Sequence, residues 1–282
     1  MQKTLKIFAS KILVTCLLCL TYCHGLFGFE LNRVILSTNN NPDYIEFWPV
    51  VAPVWQAMGI RPTLALIADE NCPIDTSLGD VVRFDPIPGM PESFQAQTVR
   101  LLLPILFPDD VCIISDIDMI PISKSYFVDN AKPCPDDAIL LYRDLAWGHS
   151  AKRYAMCYSA AKGSVFQSIF SVSTYEEIGP MLQEWMKWRR GWETDEHVLF
   201  SKVKAWERNG GKVMRLGHRN PGRLSRVRWF IPKQPDLRKY IDCHCPRPYS
   251  AYKDSIDRII TAIYALLESP PAPATPPARR RR

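Results

Sequence analysis

The sequence predicts an α/β protein built on a mostly parallel sheet flanked by helices. Three observations carry this. Through the first 115 residues, apolar runs of strand length alternate with stretches of helical period. The run at residues 111–115 (VCIIS) is apolar up to its final serine, as expected of a central strand covered on both faces. The order strand, helix, strand, strand, helix, strand is that of strands joined by crossovers rather than hairpins.

In chain order, residues 31–37 (LNRVILS) form the first strand and close on Thr38-Asn39-Asn40-Asn41-Pro42, a loop signal. Residues 44–58 place Ile45, Trp48, Val51, Ala52 and Trp55 at three- and four-residue steps, a helix that Gly59 ends. Strands follow at 63–68 (TLALIA) and 80–84 (DVVRF), then a helix over 92–107 carrying Val99, Leu102, Leu103 and Leu106. In the second half, 138–142 and 155–158 read as strands, and 174–190 and 195–209 as helices. Residues 212–216 read as a late strand and 249–268 as a closing helix. There is no internal repeat.

The 282 residues suit one large domain or two small ones, and 47% hydrophobic with 23% charged residues is ordinary globular composition. The net charge of +6 comes from the ends. With Lys3, Lys6, Lys11 and the four terminal arginines set aside, 28 basic side chains face 29 acidic ones, so the folded body lacks the basic excess of a general nucleic-acid binder. Residues 1–29 hold three lysines, no acid and an apolar run from Ile12, which reads as a signal peptide or, uncleaved over 12–29, a signal anchor. Either outcome would send the chain to the secretory pathway or a membrane; a buried first helix in a cytosolic protein is the remaining alternative. Residues 269–282 (SPPAPATPPARRRR) are too rich in proline and small residues to pack, and read as a disordered basic tail. One folded domain over 30–268 remains.

Nine cysteines give no metal framework: three lie in the leader, and Cys243-His244-Cys245 lacks a partner CxxC. Cys112 falls inside a strand pattern and reads as a small buried hydrophobe.

The most informative segment is Ser115-Asp116-Ile117-Asp118-Met119-Ile120-Pro121. Two carboxylates separated by one residue, directly after a buried strand, emerge at the carboxyl edge of the sheet, where open α/β sheets bind ligands. Such oxygens with a phosphate-bearing ligand suit Mn²⁺ or Mg²⁺; a polar turn with two solvated acids is the alternative. Charge is also segregated along the chain. Residues 109–144 hold eight acids and three bases, whereas 202–239 hold 12 bases and two acids. The late basic segment suits phosphate oxygens, a solvated helix and loop, or an RNA-binding face. Asp195 and Glu196, behind Thr194, suit general acid–base catalysis, or simply the acidic first turn of a helix. Trp185 and Trp188, three apart on a helix, read as packing residues, and Trp192 as better placed for an acceptor.

The run Ala96-Gln97-Thr98-Val99-Arg100-Leu101-Leu102-Leu103-Pro104, followed by VCIISDIDMIPI, resembles the nucleotide-sugar glycosyltransferases of the GT-A fold. The nearest group is the glycogenin-like retaining one (family eight), whose "ARLLIPELLP" helix leads into a "VLYLDADxxV" strand. The resemblance implies a GT-A-like, Rossmann-related domain that moves a sugar from a nucleotide-diphosphate donor, a uridine diphosphate sugar favoured, to an acceptor left open among glycan, protein and lipid. It implies that Asp116 and Asp118 coordinate the metal, with Asp116 and Arg100 near the nucleotide. Thr38, Asn39 and Tyr44 fall on its nucleotide loop, and Thr194-Asp195-Glu196 on its "DQxxLN", where the resemblance implies an acid that supports the sugar in a retaining enzyme or would act as general base on the acceptor hydroxyl in an inverting one; the sequence does not choose between them. Its "HxxGxxKPW" is approached by Gly217-His218-Arg219-Asn220-Pro221-Gly222-Arg223, which implies His218 as a metal ligand and Arg223 and Arg226 as diphosphate contacts. Glutamate stands where the family has glutamine, and the His-to-Gly spacing is one longer. These departures leave open a degenerate domain that binds a nucleotide sugar or a protein without turnover. The same acidic pair also suits a nucleotidyltransferase or phosphohydrolase, but the sequence has neither a Gly-rich phosphate loop nor a Gly-x-Ser-x-Gly nucleophile motif.

Overall fold

The computed structural model describes residues 29–219, 221–229, 231 and 236–268. The leader apart from Phe29, the tail over 269–282 and Asn220 lie outside the described residues. No described helix is long and apolar enough to cross a membrane.

The first half runs β1 (Leu31–Asn39), α1 (Pro42–Ile45), α2 (Trp48–Ala57), β2 (Arg61–Ile67), β3 (Asp80–Phe84), α3 (Glu92–Val99) and β4 (Val111–Ile114). The second half continues with β5 (Met119–Pro121), α4 (Lys124–Ala131), β6 (Ala138–Leu141), β7 (Ser159–Lys162), α5 (Gly163–Phe170) and α6 (Tyr175–Met186). It closes with α7 (Thr194–Arg208), β8 (Lys212–Arg215), β9 (Arg223–Ser225), β10 (Asp242–His244) and α8 (Tyr249–Glu268). Seven strands form the central sheet in the order β3-β2-β1-β4-β7-β6-β8, and β5-β10-β9 form a small second sheet. β3, β2, β1 and β4 run parallel, as do β6 and β8, while β7 lies antiparallel between β4 and β6. This is the mostly parallel, helix-flanked sheet that the sequence predicts.

The period-2 geometry of strands explains its burial. Val34 and Leu36 of β1 and Ile113 of β4 pack against Trp48, Trp55 and Phe127 on one face. Ile35, Cys112 and Ile114 pack against Val99, Leu103, Phe166 and Trp185 on the other. With both faces covered, the strands read as continuous apolar runs instead of alternating ones.

Three expectations change. The helix over 44–58 divides into α1 and α2, with a turn at Glu46–Phe47 and a proline in the first turn of each. The helix over 92–107 stops at Val99, because Pro104 lacks the amide that would bond back to the Arg100 carbonyl; a short 3₁₀ turn, Leu103–Leu106, takes over. Residues 155–158 are buried but form no strand, although the Tyr158 carbonyl accepts the Tyr142 amide at 3.1 Å; the strand begins after them, at Ser159. Apolar composition there marks burial, not a strand. The small second sheet is absent from the sequence reading altogether.

Candidate active site

β1 leads to β2 on one side and has β4 on the other, so the strand order reverses between β1 and β4. A crevice outside the carboxyl ends of two such strands is where open α/β sheets hold ligands. A cavity of about 530 Å³ opens there, within the usual range for a ligand pocket. It is lined by Thr38, Asn39, Tyr44, Arg100, Asp116, Asp118, Asp195, Glu196, Arg223 and Arg226 among others. Thus every candidate site residue that the resemblance implies, except His218, lines this one cavity.

Arg100 organises the floor. The turn that ends α3 aims its guanidinium at two carboxylates, Asp116 after β4 and Asp195 at the start of α7, the latter with Nη2 to Oδ2 at 2.8 Å. Its Nε donates to the Gln97 carbonyl at 3.0 Å. Burial works against ionisation of Asp116, but the charges of Arg100, His244 and Arg223 outweigh it and hold the carboxyl below the usual range. Asp195 is 1% exposed, and its burial wins over the Arg100 charge, raising its carboxyl. Gln97 Nε2 at 3.0 Å and the Glu196 amide at 2.8 Å donate to its Oδ1. Both oxygens of Asp195 are therefore engaged.

Glu196, one residue further along α7, faces the cavity. The Trp147 indole donates to its Oε1 at 3.1 Å, and Arg153 stands 3.5 Å from its Oε2 while stacking over the Trp147 ring at 4.1 Å. Burial and the neighbouring charge of Asp195 push this carboxyl up to about 7, against the pull of Arg153 and of the indole hydrogen bond. Trp192 also lines the cavity and is 62% exposed.

The opposite wall is cationic. Arg226 Nη1 donates to Asp118 Oδ2 at 2.8 Å, with His244 Nε2 3.5 Å and Arg247 Nε 3.6 Å from the same oxygen. The Arg247 guanidinium also lies over the Tyr44 ring at 4.3 Å. Arg223 behaves differently. Its Nε and Nη2 each donate to Asp242 at 2.7 Å, and Asp242 is fully buried and also receives the Tyr158 hydroxyl at 2.8 Å. Arg223 therefore anchors β9 to β10 in addition to lining the cavity. Gly222 permits this approach: its φ is +91°, and a Cβ there would stand 2.5 Å from the Lys239 carbonyl oxygen.

His218 is not brought to the aspartates. It follows β8, its ring stacks on Tyr126 and its Nδ1 lies 3.2 Å from that hydroxyl. His244 stands beside Asp118 instead, because antiparallel pairing of β10 with β5 sets His244 opposite Met119, and the Cys245 amide donates to the Asp118 carbonyl at 2.9 Å. The sequence marks His244 only by the Arg247-Pro248-Tyr249 run that follows it, and that does not separate it from His218. Arg143, Trp147, Arg153 and Gln97 carry no comparable signal, since only their positions in the fold bring them to the cavity.

No protein-family model matches the chain, and no curated protein does. Solved structures do match. The galactosyltransferase LgtC, crystallised with donor and acceptor sugar analogs, is 13% identical over 85% of this chain and 98% of its own, with a TM-score of 0.46. The glycosyltransferase GlyE of Streptococcus pneumoniae TIGR4 is 10% identical over 86% and 65%, also at 0.46. The bifunctional glycosyltransferase WbbM, in its apo form, is 13% identical over 84% and 50%, at 0.41.

Proposed function

We propose that this chain is a GT-A-like glycosyltransferase that moves a sugar from a nucleoside diphosphate, a uridine diphosphate sugar by preference, to an acceptor hydroxyl. The observation that carries this is the division of one cavity at the sheet switch point into a cationic wall (Arg226, Arg247, His244) and an acidic wall (Asp195, Glu196), with Asp116 and Asp118 between them. Fixed cations facing a diphosphate stabilise the charge that develops as the sugar–phosphate bond breaks. Thr38, Asn39 and Tyr44, at the end of β1 and in α1, line the same cavity and on this reading take the base and ribose.

The donor chemistry of Asp116, Asp118 and His244, two carboxylates and an imidazole lining one cavity, fits Mn²⁺ or Mg²⁺. Among the described residues no three metal-ligating side chains form a finished cage, and arginines pair with both aspartates. The fit is therefore to a cation held jointly by these residues and the diphosphate. When bound, it would neutralise negative charge on the leaving group. Arg226 is 34% exposed at its side chain, so it is free to leave Asp118 for a phosphate oxygen. Asp195 holds Arg100 and Gln97 in place beneath the sugar.

The test is release of free nucleoside diphosphate by the full chain from UDP-glucose, UDP-galactose, UDP-N-acetylglucosamine and GDP-mannose, with Mn²⁺ or with EDTA. Metal-dependent release from one donor is expected. Silence with all four, and no donor-induced thermal shift, would leave a binding protein as the better account. With a working donor, Trp192→Ala is expected to raise the acceptor KM about five- to tenfold, the loss of roughly 1 kcal/mol of apolar contact. Because Trp192 is exposed, its melting temperature and donor KM should hardly move; a change confined to donor KM would place the residue elsewhere in the reaction.

A further inference from the structure

The two acids that open α7 differ in a way that selects between mechanisms. Asp195 borders the cavity but is only 1% exposed, with both oxygens occupied by Arg100, Gln97 and the Glu196 amide. Glu196 has 15% of its side chain exposed in the cavity, and its partners, Trp147 and Arg153, come from the loop at the cavity mouth rather than from the core. The charged groups that act on it are Asp195 and Asp116 from the floor and Arg153 from that loop; Arg153 also pairs with Glu193, which His197 approaches at 3.7 Å. Arg226, Arg247 and His244 gather instead around Asp118. The exposed rings of Trp147 and Trp192 border the Glu196 side of the cavity and give an acceptor its entrance.

We infer that Glu196 is the general base that takes the acceptor proton, and that transfer is a single displacement with inversion at the anomeric carbon. This rests on the glycosyl-transfer reading and departs from the retention that the family resemblance implies. The acceptor oxygen forms its bond to the anomeric carbon while the bond from that carbon to the diphosphate oxygen breaks. The electron pair leaves with the diphosphate toward Arg226 and Arg247, and the hydroxyl proton passes to Glu196. A glutamine, which the resembled group carries here, has no basic oxygen to receive that proton. A carboxyl whose burial and Asp195 neighbour push it up to about 7 is matched to the task near neutral pH.

The experiment follows the full chain by proton NMR with whichever α-linked uridine diphosphate sugar supports release, using water and methyl glycosides as acceptors. The first-formed product is expected to be the β anomer. Glu196→Gln, which preserves the shape that accepts the Trp147 indole, is expected to lower kcat by on the order of 10²–10⁴-fold with donor KM little changed. The base must be ionised, so the wild-type rate should rise with pH through about 7 and level off above it. The glutamine variant should lack that limb, and Glu196→Asp should restore part of the rate. An α product, or a glutamine variant within threefold of wild type, overturns this inference while leaving glycosyl transfer standing. Absence of release and of binding for every donor overturns both.

Discussion

Asp118→Asn is expected to lower donor turnover by at least about 10²-fold while leaving the melting temperature within a few degrees of wild type. The carboxylate is the one point that Arg226, His244 and Arg247 all approach, within 2.8 to 3.6 Å. Asparagine keeps the shape and removes the charge that holds these groups together; on the proposed reading, that charge keeps them facing the diphosphate of the donor. The fold should tolerate the change. Asp118 itself is buried, but the charges left behind sit on Arg226 and Arg247, which are partly exposed and can be hydrated when released, so no buried charge is stranded. Nucleoside diphosphate release in Mn²⁺, read beside a thermal melt, checks both halves. Retention of full turnover would remove Asp118 from the donor site, whereas a collapse of the melting temperature would make it a folding residue.

The largest expected effect on stability belongs to Arg100→Met. The guanidinium is 10% exposed and lies between Asp195, 2% exposed at its side chain, and Asp116. Removing it strands a buried carboxylate, which costs about 3–5 kcal/mol, or on the order of 10 °C in a domain of this size. The sign with pH follows from Asp195. Its carboxyl is already raised by burial, and loss of Arg100 raises it further. A carboxyl raised in the folded state favours folding at low pH and loses that contribution as it ionises. The deficit of the variant should therefore be smaller in mild acid and grow toward neutral pH. Asp195→Asn added to Arg100→Met should recover most of the loss, because the stranded charge is gone. Denaturant melts of the two single variants and the double at two pH values decide it. A simple sum of the single effects would show that the pair is not coupled.

How much was legible before the structure depended on how local each interaction is. β1 and β4 are readable as apolar runs because they are buried along nearly their whole length, and α7 and α8 by the helical period of the one face each buries. The Asp116–Asp118 pair is readable because it directly follows an apolar strand. The division of the helix at Arg100 was visible only as Pro104, whose effect on helix bonding is clear once the turn is seen. Glu196 was legible as an acid in a helix start, but not that its neighbour Asp195 would be locked away while it faced the cavity.

The sequence by itself determined the α/β class, the order of the first strands and helices, and the acidic corner at the end of β4. These are set by hydrophobic period and by residues within a few positions of one another. Tertiary structure alone decided which histidine stands beside Asp118 and that Arg247 joins the arginines expected at the cavity. That choice rests on β5, β10 and β9, three-residue strands too short to announce themselves by pattern. Their pairing joins residues 119–121 to 242–244 across more than a hundred positions, with Asp242 sealed under Arg223 and Tyr158. His218 and His244 each sit in a loop-like, polar context, and only closure of that distant sheet separates a ring stacked on Tyr126 from one at the aspartates.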